Sequence, residues 1–391
     1  MKRIFYLIIM LAFVANFFAQ NSLTHILSDV EKNNTTLAAL RLRVDAQKLG
    51  NKTGLTPQNP EVEFNYLWGN PSAIGNRTDF SIRQSFDFPS AYIYKSKIAN
   101  LKNDQAELEY KKQRSEVLFQ ARLICLELTY RNALKLQFGK RLNNATRVAN
   151  AYNSKFKVGE SSILEFNKAQ LTLLNINKMA ESNLLERNAL MADLATLNGG
   201  KAIVFYDSTF VEPTILADFE QFYAQAEQAN PVLQWIKQEV TISQNQKQLS
   251  VALTLPKLNA GYMSEKVVGE QFQGVSLGMS IPLWENKNTI KQAKANALAM
   301  QSAEADIKLQ FYNRMKSLHA KTVAMQRNVV DYRKNLSAFN NADLLQKALN
   351  QGEISLTEYI FELSLQYESI DNLLEMELNQ QKAFAELNQY L

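Results

Sequence analysis

The sequence predicts a mainly α-helical fold with a small β part, built as a duplicated strand–strand–helix–turn–helix unit. Three observations predict it. Glycine (13) and proline (8) are scarce in 391 residues, below the ordinary ~7% and ~5%, so long uninterrupted helices are expected. Four short segments alternate apolar and polar residues with period two, the signature of half-buried strands. One phrase also occurs twice: Gly159-Glu160-Ser161-Ser162-Ile163-Leu164-Glu165-Phe166 returns as Gly352-Glu353-Ile354-Ser355-Leu356-Thr357-Glu358-Tyr359. Each copy lies between two helical patterns and follows a pair of strands, so the chain is read as a duplication.

The first element is an export signal over 1–19. Met1-Lys2-Arg3 is a basic start, Ile4 to Phe18 is apolar apart from Asn16, and Ala19-Gln20 offers a small-residue cleavage point. The apolar run falls short of the ~20 residues that span a bilayer. No cysteine stands beside the cleavage point, so lipid attachment there is not expected.

The first repeat is placed at 20–200. A helical stretch from Leu23 to about Leu49 is broken by Asn51 to Pro57. Strands follow over about 60–68 and 80–88. Val62, Phe64, Tyr66 and Trp68 alternate with Glu61, Glu63 and Asn65; Phe80, Ile82, Phe86 and Phe88 alternate with Ser81, Arg83, Ser85 and Asp87. The intervening Gly69-Asn70-Pro71-Ser72 makes the pair a hairpin. Long helices are expected over about 90–158 and 160–198, the first reaching ~100 Å at 1.5 Å per residue.

The second repeat, 201–391, follows the same plan. Strands are expected over about 256–264 and 275–283, around a loop containing Gly269 and Gly274. Helices are expected over about 286–351 and 353–388. In the last, Leu356, Ile360, Leu363, Tyr367, Ile370 and Leu374 keep the spacing of a coiled-coil seam.

Composition narrows the function classes. Two histidines and one cysteine, none clustered, are thin material for a metal site or His-based catalysis. No nucleophile–base set or phosphate loop is present, so an enzyme is not expected. Cys125 sits among Leu123, Ile124, Leu126 and Leu128 and reads as a buried thiol. A formal charge of +5 falls when the basic leader is removed, and nothing points to nucleic acid.

The strands admit two readings. In a soluble sandwich their apolar faces would pack on a second sheet; in a membrane barrel they would face lipid, with the charged faces toward water. Four strands cannot close a barrel, since single-chain barrels start at about eight, and lipid tolerates no open sheet edge. Membrane strands of this number therefore require several chains to share one barrel. A periplasmic coiled-coil scaffold is the soluble alternative.

The two tip phrases, the duplicated order of elements, and Ser280-Ile281-Pro282-Leu283-Trp284 running into a helix with Ala293, Ala295 and Ala297 resemble the outer-membrane efflux proteins of the TolC family. The Pro89 that follows the second strand resembles the metal-efflux branch. The resemblance implies a homotrimeric β-barrel of twelve strands in outer-membrane lipid, continued by a long α-helical barrel across the periplasm of a Gram-negative bacterium. It implies docking to a periplasmic adaptor and an inner-membrane pump of the resistance-nodulation-division type, with no cofactor, and shares its architecture with type I protein-secretion ducts.

By this resemblance Gly159, Glu160, Ser162, Gly352, Glu353 and Ser355 form the periplasmic tip and adaptor contact, and Glu165 and Glu358 are candidate gate residues. Ile354 stands where some relatives carry a gate arginine. Glu61, Glu63, Arg83 and Asp87 are assigned to the barrel lumen; Phe64, Tyr66, Trp68, Phe86, Leu277 and Ile281 to the lipid-facing side.

Overall fold

A computed structural model describes residues 23–339 and 341–391; the expected signal at 1–19 lies outside the described residues. The helices are α1 (23–33), α2 (Thr35–Gly50), α3 (Pro89–Lys157), α4 (Ile163–Leu197), α5 (Phe219–Ala229), α6 (Pro231–Ala252), α7 (Thr289–Ala338), α8 (Ala342–Gln351) and α9 (Leu356–Leu387). The strands are β1 (Glu61–Leu67), β2 (Arg77–Phe86), β3 (Lys257–Val267) and β4 (Glu270–Ser280). No described helix is long and apolar enough to cross a membrane.

The chain divides into two compact units. One comprises 39–112 and 230–311, the other the described residues up to Ala38 together with 113–229 and 312–391. Both α3 and α7 contribute residues to each.

The unit of 39–112 and 230–311 holds all four strands in one antiparallel sheet of order β1-β2-β3-β4. The two hairpins thus pair with each other through β2 and β3, leaving β1 and β4 as edges. Below the sheet, Ala91 and Ile98 of α3 pack on Ile242, Leu249 and Ala252 of α6. Pro231 occupies the first turn of α6, where no backbone donor is needed, and Asn230 caps it by accepting the amide protons of Val232 (2.7 Å) and Leu233 (3.3 Å).

In the other unit one core joins Ile26 and Val30 of α1, Ala121, Cys125 and Leu128 of α3, Leu194 of α4, and Phe205. Cys125 is 1% exposed, and burial pushes its thiol pKa up to about 12. A second core carries the seam of α9: Leu356, Tyr359 and Leu363 pack on Val148, Ala149 and Tyr152 of α3 and Ala169 of α4. The small Ala149 and Ala169 permit the close approach of helix backbones.

Several element boundaries differ from the sequence reading: β2 runs Arg77–Phe86 rather than about 80–88, β3 extends to Val267 rather than about 264, and α4 starts at Ile163 because Ser162 caps it. The helical stretch from Leu23 breaks at Asn34, whose buried side chain accepts from Leu37 N–H (2.9 Å) and donates to the Leu197 carbonyl (2.8 Å); a side-chain cap outcompetes helix continuation there. The stretch read as one helix over 286–351 is two, α7 and α8, with Asn341 at the start of α8. The strand read over 275–283 begins at Glu270 and ends at Ser280, because the reversal is the tight pair Val268-Gly269, both with positive φ. Gly274 lies inside β4, paired with Met263.

Candidate functional site

The sheet is the first place with functional content, because its two faces differ sharply in chemistry. Cross-strand partners share a face. Rungs such as Phe86–Leu258–Met279, Gln84–Ala260–Leu277 and Val62–Ile82–Tyr262–Val275 therefore lie on one side. The next rungs on that side are Phe64–Phe80–Ser264–Gln273 and Tyr66–Thr78–Lys266–Gln271. The opposite face carries Glu61, Glu63, Arg77, Asp79, Arg83, Lys257, Glu265 and Glu270, with Arg77 ion-paired to Asp79 (2.8 Å) and Glu265 (3.3 Å).

Among the described residues nothing packs on the centre of the apolar face: Phe64 is 64% exposed, Val275 and Leu277 each 83%. Open apolar surface of this kind marks a face that meets a partner or a membrane. Glu61, Glu63 and Arg83 lie together on the charged face, Glu61 opposite Arg83. Asp87 falls one residue past β2, where Lys95 donates to it at 2.8 Å and its own N–H donates to the Tyr92 hydroxyl (3.0 Å). Phe64, Tyr66, Phe86 and Leu277 share the apolar face, while Trp68 and Ile281 lie one residue beyond β1 and β4. Trp68 stacks edge-on against Tyr66, ring centroids 5.5 Å apart.

The duplicated phrase builds the second place. In the first copy the Glu160 N–H donates to the Lys155 carbonyl (2.8 Å) and the Gly159 N–H to that of Phe156 (3.1 Å); in the second, Glu353 donates to Ala348 (2.9 Å) and Gly352 to Leu349 (3.2 Å). Both are Schellman terminations, and both glycines are left-handed, φ 80° and 76°. Ser162 and Ser355 then open the returning helices, each hydroxyl accepting the N–H of the glutamate three residues on at 3.2 Å.

The two glutamates part ways there. The Glu165 carboxylate completes a capping box, accepting from Ser162 N–H (2.9 Å), the Ser162 hydroxyl (3.0 Å) and the Ser161 hydroxyl (3.1 Å). The Ser162 bonds, then that from Ser161, hold its pKa below the usual carboxylate range. The exposed Glu358 lacks the reciprocal bond to the backbone N–H of its cap Ser355, and it also lacks a counterpart of the Ser161 hydroxyl bond, because Ile354 stands at that place and packs into the α9 core.

Sequence reasoning missed the polar groups that tie these turns to α3. The Tyr359 hydroxyl accepts from Asn144 (2.8 Å) and donates to the Gln346 side-chain oxygen (2.9 Å), which also accepts from Arg147 (2.6 Å). Lys168 of α4 reaches Thr357 of α9 (2.8 Å). Further along α3, the nearly buried Arg141 forms two bonds to Asp371 (2.8 and 2.6 Å), with a third to the Tyr367 carbonyl (3.2 Å). Its guanidinium lies 4.6 Å from the Tyr367 ring centroid. The available signal was an arginine in a stretch whose neighbours Leu134, Phe138, Ala145 and Val148 follow a core-facing helical spacing.

No protein-family model and no curated protein matches the sequence. Solved structures do. The CmeC outer membrane channel of Campylobacter jejuni aligns with a TM-score of 0.74 at 13% identity, over 94% of this chain and 85% of that one. CusC, whose crystal structures concern transmembrane channel formation, aligns at 0.77 and 14% identity, over 94% and 91%. The open-state MtrE outer membrane channel of Neisseria gonorrhoeae aligns at 0.70 and 13% identity, over 94% and 88%. At these identities the likeness is one of fold: this chain has the fold of outer-membrane channel proteins, as its resemblance to the TolC family implied.

Proposed function

We propose that this outer-membrane-channel fold serves as the exit duct of a tripartite efflux system, passively conducting small molecules or ions delivered by an inner-membrane pump through a periplasmic adaptor. The observation that carries the proposal is the sheet: four strands with an exposed, largely apolar face, a charged opposite face and two unpaired edges. Water gives such a face no reason to stay bare, and lipid forbids the open edges. Closure by further copies of the chain satisfies both requirements. Three copies supply twelve strands, and the strand lengths of 10, 11 and 11 residues in β2, β3 and β4 match the ~9–11 that cross a bilayer when tilted.

All four helix connections leave the sheet at the end marked by Phe86, Leu258 and Met279, and both short turns close the other end. In the proposed assembly the helices extend into the periplasm and the turns face outward. The charged face, with Glu61, Glu63 and Arg83, lines the water-filled lumen. Asp87, paired with Lys95, sits at its mouth.

At the tip, Gly159, Glu160 and Ser162, with Gly352, Glu353 and Ser355, form two like reversals that offer regular surfaces to an adaptor. Glu165 and Glu358 are the proposed gate carboxylates, in unequal roles: Glu165 held in its cap, Glu358 free to face the pore. Three copies place six carboxylates near one axis, an arrangement that attracts cations. The conducted species is set by the pump, and a secretion duct for proteins would share the architecture.

Single-channel recording in planar bilayers tests the proposal. Low, cation-favouring conductance is expected from the wild type, with selectivity lost in Glu165→Gln plus Glu358→Gln. Protein that inserts but conducts nothing under any condition contradicts the duct; unchanged selectivity contradicts the gate assignment alone.

A further inference from the structure

The largely apolar face of the sheet carries one charged side chain among the eighteen residues that the register places there, and that residue is Lys266. Its position is not arbitrary. It lies on the rung Tyr66–Thr78–Lys266–Gln271, which runs across all four strands and is polar throughout. This is the last rung before the short turns, at the end opposite the helices. The Tyr66 hydroxyl on the same rung accepts from Asn76 at 2.7 Å, so it is held at the edge of the face. Lys266 itself is exposed.

We infer that this rung is a docking point for the phosphate of an anionic lipid headgroup in the outward leaflet; the inference rests on reading the apolar face as lipid-facing. Lys266 is eight residues along β3 from Leu258. At ~3.4 Å per residue and a tilt of ~40°, that is about 20 Å along the barrel axis, near the rim of a ~25 Å apolar band. An ammonium at that depth reaches the headgroup layer at the end of its flexible stem. Gln271 and Thr78 stand on either side of it; the Thr78 hydroxyl, and the amide hydrogen of Gln271 that is not donated to Ser264 (3.1 Å), add donors suited to phosphate oxygens. No carboxylate shares this face, so the ammonium has no rival anion on its own side of the sheet. A lone cation flanked by neutral donors makes its strongest bonds to a phosphate whose charge no ammonium of the same headgroup already offsets, so a net-anionic headgroup is favoured over a zwitterionic one. In a trimer the site occurs three times around the rim.

The experiment uses full-length protein extracted from outer membranes in detergent, with bis-phosphorylated lipid A and its dephosphorylated counterpart as probes, read by native mass spectrometry. Wild type is expected to retain the phosphorylated lipid at least fivefold better than the dephosphorylated one. Lys266→Gln should abolish that preference, Lys266→Arg should keep it, and Lys178→Gln on α4 should leave it unchanged. Inorganic phosphate should not compete at equal concentration, because the acyl chains contribute to retention. Equal retention of both lipids by wild type, or an undiminished preference in Lys266→Gln, overturns the inference. Failure of the wild type to fractionate with the outer membrane overturns the lipid-facing reading itself, and is distinguishable because no lipid step is then reached.

Discussion

Replacing Val275 by arginine, beside a matched change of Ser276, separates a lipid-facing sheet from one that is merely bare. The two residues are adjacent in β4 and point to opposite faces: Val275 is paired with Tyr262, Ser276 with Gly261. Val275 is 83% exposed and lies on the middle rung of the apolar face. An arginine at the midplane of a membrane barrel costs about 2–4 kcal/mol, a roughly 30- to 700-fold shift per chain at 1.4 kcal/mol per decade. Three copies would raise this to about 6–12 kcal/mol per barrel. On a surface bathed in water the same change is worth no more than ~0.5 kcal/mol. The assay is the yield of heat-modifiable, detergent-resistant oligomer in outer membranes, with urea unfolding of the extracted protein. Val275→Arg should lose most of the oligomer while Ser276→Arg keeps it. Equal oligomer yield from the two variants would mean that the apolar face does not meet lipid.

Further expectations concern the helical unit. Gly159→Ala and Gly352→Ala each place a side chain in a left-handed turn with open space around it, so each should cost about 1–2 kcal/mol from backbone strain alone, and asparagine should recover part of it; amide exchange across the turn reads this. Because hydrogen bonds lower the folded pKa of Glu165, its cap is fully formed above the ordinary carboxylate range and is lost as pH falls through the lowered folded value. Exchange protection at the start of α4 should therefore fall on strong acidification in wild type but not in Glu165→Gln, which keeps an accepting oxygen. Asp371→Ala strands the nearly buried Arg141 and should destabilise the protein by about 2–4 kcal/mol, seen as a lowered urea midpoint. The Cys125 thiol, buried with its pKa near 12, should resist iodoacetamide at pH 8 until the unit unfolds; alkylation of the native protein would contradict its placement.

Much of this architecture was legible because it rests on local signals that survive tertiary context. Period-two alternation located β1 and β2, and the scarcity of glycine and proline announced α3. Gly159 and Gly352 marked the reversals because only glycine takes the left-handed turn without strain. The serine caps were written in the same phrases. What stayed hidden depended on competition between near-equal local choices. Asn34 reads as a tolerable helix residue, yet its side chain bonds two backbone groups and ends the helix. Glu270 to Gly274 reads as loop because polar residues and glycine dominate it, and pairing with β3 makes it strand. The Arg141–Asp371 pair and the Tyr359 hydroxyl network join residues more than two hundred positions apart, and no spacing within a single sequence announces such pairs. Lys266 escaped notice because its meaning depends on the register of all four strands.

In the proposed assembly several copies of this chain close one barrel in the outer membrane. The most direct test of this closure is the native mass of protein extracted from purified outer membranes, detergent subtracted. A trimer has a mass of about 125 kDa, three chains of 44.5 kDa less the expected leaders, and this is the species expected. A single-chain mass, or protein found only in the soluble periplasmic fraction, would contradict it.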